Sequence, residues 1–466
     1  MKKSILSVCL MTLAWGGLQA QQQGGISEDM LREIRKAYKG TAADKALLNA
    51  ITANDIRVLA LNHENAADFD TYFSDKVLSR GITDQKSSGR CWLFTGLNVM
   101  RAKMIAQYDL PSLEFSQSYG FFWDQLEKSN LFLQGIIDTA DRPMDDRMVE
   151  HLFKNPLSDG GQFTGVMDIV MKYGVVPKGV MPETFSSENT AQMANFIKLK
   201  LREFGLQLRD QAAKGAKAKQ LEQSKTEMLG TIYRMLVLTL GEPVTEFQWV
   251  MRDADGKPRG EMKTYTPQSF FKEFINEDYV NDYIMVMNDP SRPYWKVYEI
   301  DYDRHAYDGH NWLYVNLPMD EIKPMAIASI KDSTMMYFSC DVGKFLNQKR
   351  GLLDLRNYDY DSLFGTTFGM DKKQRIQTFA SGSTHAMTLM AVDLDANGKP
   401  KKWMVENSWG QVGYKGHLIM TDQWFDEYMF RLAVNKKYVP AKVLELLEKE
   451  KPVRLPAWDP MFADEE

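Results

Sequence analysis

Two apolar runs flanking a turn signal constrain this chain more than any other feature. The first is His385-Ala386-Met387-Thr388-Leu389-Met390-Ala391-Val392-Asp393, and the second is Lys402-Trp403-Met404-Val405-Glu406-Asn407-Ser408-Trp409-Gly410. Between them stands Asp395-Ala396-Asn397-Gly398. Strand, Asn-Gly turn, strand is a hairpin signal. Folding about the middle of that turn sets His385 roughly opposite Asn407, as cross-strand neighbours. An amide oxygen beside an imidazole holds the ring in one tautomer and turns its other nitrogen toward a reacting group.

A nucleophile for such a base lies in Asp84-Gln85-Lys86-Ser87-Ser88-Gly89-Arg90-Cys91-Trp92. Leu93, Leu97, Met100 and Met104 follow at helical spacing after a Ser-Ser-Gly turn, so the pattern predicts a helix with one apolar stripe and Cys91 in its first turn. There the unpaired N–H groups and the positive end of the helix dipole favour a thiolate. Pairing with an imidazolium lowers a cysteine pKa from about 8.5 to about 3–4, which predicts a resting ion pair with His385. Gln85, six positions before Cys91, is placed to give a side-chain N–H, beside the Cys91 backbone N–H, to the oxyanion of a tetrahedral intermediate. Taken singly, a cysteine at a helix start is more often a packed thiol, a strand histidine or asparagine a satisfied core residue, and Trp409 packing instead of a lid over Asn407. Their conjunction points to catalysis by Cys91, His385, Asn407 and Gln85.

Gln85 to Trp92 and Glu406-Asn407-Ser408-Trp409-Gly410 resemble the active-site segments of papain-like cysteine peptidases. The fuller resemblance is to the bleomycin hydrolase and aminopeptidase C branch. It is carried by Ser116-Gln117-Ser118-Tyr119, Asp159-Gly160-Gly161-Gln162, Tyr173-Gly174-Val175-Val176-Pro177, Cys340-Asp341-Val342-Gly343-Lys344, Thr384-His385-Ala386-Met387-Thr388 and Leu455-Pro456-Ala457-Trp458-Asp459-Pro460-Met461, in order along the chain. His385 lies 294 positions after Cys91, against about 130–150 in the papain and cathepsin type, so a large insertion is expected.

The resemblance implies an α+β fold, a two-lobed papain-like peptidase with a helical lobe, a β-barrel-like lobe and a large helical and mixed insertion. The expected division is a signal peptide over 1–20, an N-terminal arm over 21–75, the helical lobe over 76–182, the insertion over 183–330, the β lobe over 331–440, and a C-terminal helix and tail over 441–466. Met193, Ile197, Leu201, Phe204 and Leu208 form one helical stripe in the insertion, and Met228, Ile232 and Met235 another. By resemblance the insertion builds subunit contacts in a homohexameric ring whose sites face an inner chamber.

Met1-Lys2-Lys3, the apolar stretch from Ile5 to Leu18 and the small residue Ala20 read as a secretory signal cleaved before Gln21, which predicts a periplasmic or secreted protein. The stretch is too short for a membrane span, and too short ahead of Cys9 for a lipidation signal. The leader holds two lysines and no acid, so the net charge of −5 becomes −7 without it, which argues against nucleic acid or anionic membrane as main partner. The other cysteines are Cys91 and Cys340. Papain-like enzymes commonly join by a cystine the positions held here by Ser88 and Ser158, so no structural disulfide is expected, and Cys340 reads as buried packing. Activity outside the cytoplasm would then depend on reductant, because Cys91 is open to oxidation.

In the family the tail after the Trp-Asp-Pro-Met segment enters the cleft and leaves room for a substrate's N-terminal residue. Here the tail is Phe462-Ala463-Asp464-Glu465-Glu466, and a terminal carboxylate at Glu466 could pair with a peptide α-amine; its three acids depart from the small, nearly neutral endings of relatives. Gly160 and Gly161 match a pair whose backbone lines the cleft, although an ordinary turn also explains them. Substrate-binding residues are thus expected at Gly160, Gly161, Trp409 and Glu466. Asp301-Tyr302-Asp303-Arg304-His305 and Asp308-Gly309-His310 crowd acids and imidazoles together. Their spacing and Arg304 disfavour a metal, so a solvated loop is expected, and no metal or cofactor is assigned. The leading reading is an exported thiol aminopeptidase acting on peptides with an unblocked N terminus. An endopeptidase of the same fold, or a catalytically silent oligomeric binding protein, remains an alternative.

Overall fold

The computed structural model describes residues 24–67 and 69–462. The expected signal peptide and Glu466 lie outside the described residues. The described chain forms two compact units, divided after Leu61. In the first, Glu28–Ala37, Ala42–Ala53 and Ile56–Leu59 are helices. Ser27, Thr41 and Asp55 cap them by accepting backbone N–H bonds, which satisfies donors a helix start leaves unpaired.

The second unit holds the hairpin and the cysteine. Helix Cys91–Tyr108 begins at Cys91 as expected, but 14 of its 18 residues are buried, so it is a central helix and not one with a single apolar stripe. Gln117–Asp138 and Phe163–Tyr173 pack beside it, and Gly96 lets the latter approach, since a Cβ there would meet Val166 at 2.4 Å. Thr190–Ala213 and Ala218–Leu240 form the helical pair of the insertion. The stripe Met193, Ile197, Leu201, Phe204, Leu208 is buried, and the pair packs on Gln117–Asp138.

Most of the described strands join into one sheet, and Phe247–Trp249 pairs with Lys263–Tyr265 in a separate two-stranded one. The middle of the large sheet runs Tyr283–Met287, Met429–Asn435, Met336–Cys340, His385–Leu394, Pro400–Glu406, His417–Thr421. Beyond Tyr283–Met287 lie Leu313–Asn316, Lys296–Ile300 and Val453–Leu455. Strands from the region expected to be the insertion therefore share a sheet with the histidine strand, and the division expected at 330 falls inside that sheet. Both faces of the histidine strand are covered: Ala386 packs into the core around the cysteine helix, whereas Met387 and Leu389 belong to a second core on the other face. Double coverage explains why the strand reads as a nearly unbroken apolar run. Among the described residues no helix is long and apolar enough to cross a membrane.

Candidate active site

The hairpin forms, with a shifted register. Thr388 pairs with Glu406 and Leu394 with Pro400, so the connection is the five residues 395–399 instead of the four in the turn signal. Gly398, at φ +78, closes it by donating to the Asp395 carbonyl. Carried to the end of the strand, this register sets Trp409, not Asn407, across from His385. The side chains of His385 and Asn407 meet on the diagonal, a reach open to long side chains across paired strands.

His385 Nε2 lies 2.8 Å from Asn407 Oδ1, and the same oxygen accepts the Ser408 backbone N–H at 2.8 Å. A backbone N–H can only donate, so the shared atom is the amide oxygen and His385 must donate to it through Nε2–H. In the neutral ring Nδ1 is then the basic nitrogen. Trp409 lies against the imidazole, with centroids 4.7 Å apart and planes tilted by 31°. His385 is only 3% exposed, and burial draws its pKa down to about 4 against the opposing bond to Asn407. The buried ring alone is thus a neutral base at pH 7, and the expected thiolate–imidazolium pair has to overcome this desolvation.

Cys91 is fully buried at the first position of its helix. Two main-chain bonds join its loop to the hairpin: Gln85 N–H donates to the Ser408 carbonyl at 2.8 Å, and Gly410 N–H to the Thr83 carbonyl at 3.0 Å. The Gln85 amide is held at both ends. Its Nε2 donates to the Ser88 carbonyl at 2.6 Å, and its Oε1 accepts the Ser408 hydroxyl at 2.6 Å. A carbonyl can only accept, so the amide orientation is fixed, and the NH2 group keeps a second hydrogen for an oxyanion.

Beside Cys91, the buried Arg90 donates to Glu183 at 2.8 Å and stands over the rings of Phe94 and Phe121. Burial lowers the Arg90 pKa, with Glu183 opposing. Asp159 ties the far wall to the loop before Cys91: its carboxylate accepts the Gly89 N–H at 2.8 Å and the Thr190 hydroxyl, and its carbonyl accepts Trp92 Nε1 at 2.9 Å. Gln85, Ser88, Asp159, Asp341, His385 and Trp409 line a cleft of about 710 Å³.

Gly160 and Gly161 follow Asp159 and are both buried. A Cβ at Gly161 would meet the His305 ring at 2.2 Å and Trp92 at 2.9 Å, so inward packing already requires glycine there. Ser88 and Ser158 are not left idle by the missing bridge: the Ser88 hydroxyl donates to the Gln85 carbonyl at 2.6 Å and accepts from Arg90 Nε, and the Ser158 hydroxyl accepts the Gly160 N–H. Cys340 is buried in its strand, and neither it nor Cys91 is in a disulfide.

The expectation of a solvated loop at 301–310 is overturned. His305 is 4% exposed, with Nδ1 at 2.5 Å from the carboxylate of Asp124, which is wholly buried. His310 is half exposed, yet its Nδ1 lies 2.6 Å from Asp168 Oδ1, and Asp168 also accepts its backbone N–H. Each imidazole looks solvated in the sequence because its carboxylate partner stands over 140 positions away in the chain. Among the described residues no three His, Cys, Asp or Glu side chains are grouped to hold a metal. Sequence reasoning also missed Ser408 as the group that orients both Gln85 and Asn407, although it lies next to Asn407. It missed the buried pair of Arg101 and Glu406 as well, for which the only signal was a charged residue inside each apolar run.

The sequence profile of the Peptidase C1-like family matches residues 25–462. Mouse bleomycin hydrolase is 42% identical over 427 residues, covering 89% of this chain and 93% of the mouse protein. Aminopeptidase C of Lactobacillus delbrueckii subsp. lactis is 38% identical, covering 94% and 98%. The crystal structure of PepW from Lactobacillus rhamnosis superposes with a TM-score of 0.90 at 38% identity, covering 95% of this chain and 99% of that one. With similarity running the length of both partners, the chain belongs to the Peptidase C1-like family and is a cysteine peptidase of papain-like fold, in the aminopeptidase branch that holds bleomycin hydrolase and aminopeptidase C.

Proposed function

We propose that the protein is an exported thiol aminopeptidase that releases N-terminal residues from peptides through a thioester on Cys91. The observation that carries the chemistry is the single Asn407 oxygen shared by the Ser408 N–H and His385 Nε2, which leaves Nδ1 as the base. In the reaction the Cys91 thiol gives its proton to His385 and its sulfur bonds to the substrate carbonyl carbon. The oxyanion takes N–H bonds from Gln85 and the Cys91 backbone. As the C–N bond breaks, the leaving amine takes the proton from His385. Water then adds to the thioester, His385 accepts its proton, and the acid leaves as the thiol is restored.

The restriction to N-terminal residues rests on the tail. Pro460 O lies 3.9 Å from the Cβ position of Gly382, three residues before the base, and Arg431 donates to the Met461 carbonyl. The Arg431 strand is separated from the His385 strand by the single strand Met336–Cys340, which supports a tail close to the cleft. Glu466 is the residue proposed to pair with the substrate amine, with Gly160, Gly161 and Trp409 bordering the acyl part. The leader-like sequence over 1–20 supports export, and family membership supports a hexamer.

An aminoacyl fluorogenic substrate and its N-acetylated twin test the reading: the unblocked substrate should be cleaved at least 100-fold faster, and equal rates would make the protein an endopeptidase. A thiol-directed epoxide should label the wild type but not Cys91→Ala; labelling independent of Cys91 would leave the silent binding protein in its place.

A further inference from the structure

Behind the cleft wall lies a buried ionic group that the reaction above does not use. Asp124, on the helix Gln117–Asp138, meets His305 Nδ1 through one oxygen, and through the other meets Lys128 Nζ at 3.2 Å. Lys128 turns to the wall and donates to the carbonyls of Ser158, at 3.0 Å, and Gly160, at 2.5 Å. Gln125 donates to the Ser158 carbonyl at 2.9 Å, and Trp92 takes the Asp159 carbonyl. Three consecutive wall carbonyls are therefore gripped from inside by side chains of two helices.

His305 fills the space between that wall and the helix Phe163–Tyr173. A Cβ at Gly161 or at Gly165 would come within 2.2 Å of its ring. The ring also meets Trp92 edge to face, with centroids 4.7 Å apart. Trp92 is the neighbour of Cys91. One buried imidazole thus touches the wall, the helix that follows it and the residue beside the nucleophile.

We propose that His305 is a positioning residue for substrate: seated by Asp124 and aided by Lys128, it sets the depth of the wall segment 158–161 relative to Cys91. This rests on the reading of Cys91 as nucleophile. Substrate bound against the wall depends on its position, because hydrogen bonds from an extended peptide to the wall backbone weaken as their distance and angle leave the normal range. The thiol itself does not depend on it, since the helix start, His385 and Asn407 are placed by other contacts.

The test compares full-length His305→Ala, His305→Gln and Lys128→Met with wild type, measuring kcat and KM on an aminoacyl fluorogenic substrate, the rate of Cys91 alkylation by iodoacetamide, and the melting temperature. His305→Ala and Lys128→Met should each raise KM about tenfold, with kcat within threefold and alkylation within twofold of wild type. His305→Gln, which keeps a donor toward Asp124, should recover most of the KM. A lower melting temperature with KM within twofold of wild type would make the group merely structural and overturn the proposal. Parallel loss of alkylation and turnover would move the effect to the nucleophile and overturn it too. If His305→Ala does not fold, Lys128→Met reads the same KM through the cation of the same group. Wild type that cleaves substrate but resists alkylation at Cys91 would instead sink the nucleophile assignment on which the proposal stands.

Discussion

The two sides of this active site are assembled in opposite ways. His385, Asn407, Ser408 and Trp409 lie within about 25 positions of one another and meet through a single hairpin. The wall facing them joins Trp92, Asp124, Lys128, Asp159 and His305, whose contacts link positions up to 181 apart. The hairpin side holds the imidazole in few, short-range bonds, although Ser408 also reaches Gln85, 323 positions away. The wall side carries no proposed proton transfer, and spreads its structure over many long-range ones. Losses on the first side should therefore appear in rate, and losses on the second in binding and stability.

The sharpest way to break this contrast is to cut the tie between the sides. Arg101 of the cysteine helix pairs with Glu406 of the hairpin, 3% and 1% exposed, and also donates to the Gly81 carbonyl at 2.9 Å. Arg101→Met leaves Glu406 buried without its cation, and should destabilise the protein by about 3–5 kcal/mol in chemical denaturation. A loss under about 1 kcal/mol would mean that the two sides fold independently of this pair. Asn407→Ala should lower kcat/KM by about 10²-fold, since the base loses the acceptor that fixes its tautomer. If KM rose instead while kcat held, Asn407 would belong with the wall.

Acid stability gives a smaller and more diagnostic effect. His385, pulled to about 4 in the folded protein against about 6.5 unfolded, binds its proton more readily when unfolded. Its contribution is fully present above pH 6.5 and is lost as pH falls toward 4, amounting to about 2 kcal/mol at pH 5. In a Cys91→Ala background, replacing His385 by Leu should abolish that part of the pH dependence. Wild type should lose less than Cys91→Ala over the same range if the thiolate holds the imidazolium in place. The least change expected is from Ser88→Ala, which removes the acceptor of Arg90 Nε and should cost about 1 kcal/mol in unfolding free energy.

The same contrast explains what could be read before the structure. The cysteine helix start and the apolar strands around Asn397-Gly398 are local patterns, and both formed. The hairpin register was missed because the turn is one residue longer than its Asn-Gly signal suggests. His305 was misjudged for a different reason: a charged decapeptide looks hydrated until a distant Asp124 and two glycines show where the ring goes. The same holds for Gly161, whose missing side chain is explained by a histidine 144 positions later. One helical stripe was expected for Cys91–Tyr108 because periodicity marks the face with the largest side chains, and is silent about Asn98 and Arg101, which are buried by polar partners on the other faces.

The pair of main-chain bonds from Thr83 and Gln85 to Gly410 and Ser408 has a mechanical consequence. Stitched by backbone on both sides of Trp409, which lies against the His385 ring, the jaws of this enzyme cannot swing apart without disturbing the surroundings of that imidazole. It works as a die and not as tongs. A die takes what already has the right outline, so selection among peptides falls on how readily each presents an extended, unstructured end.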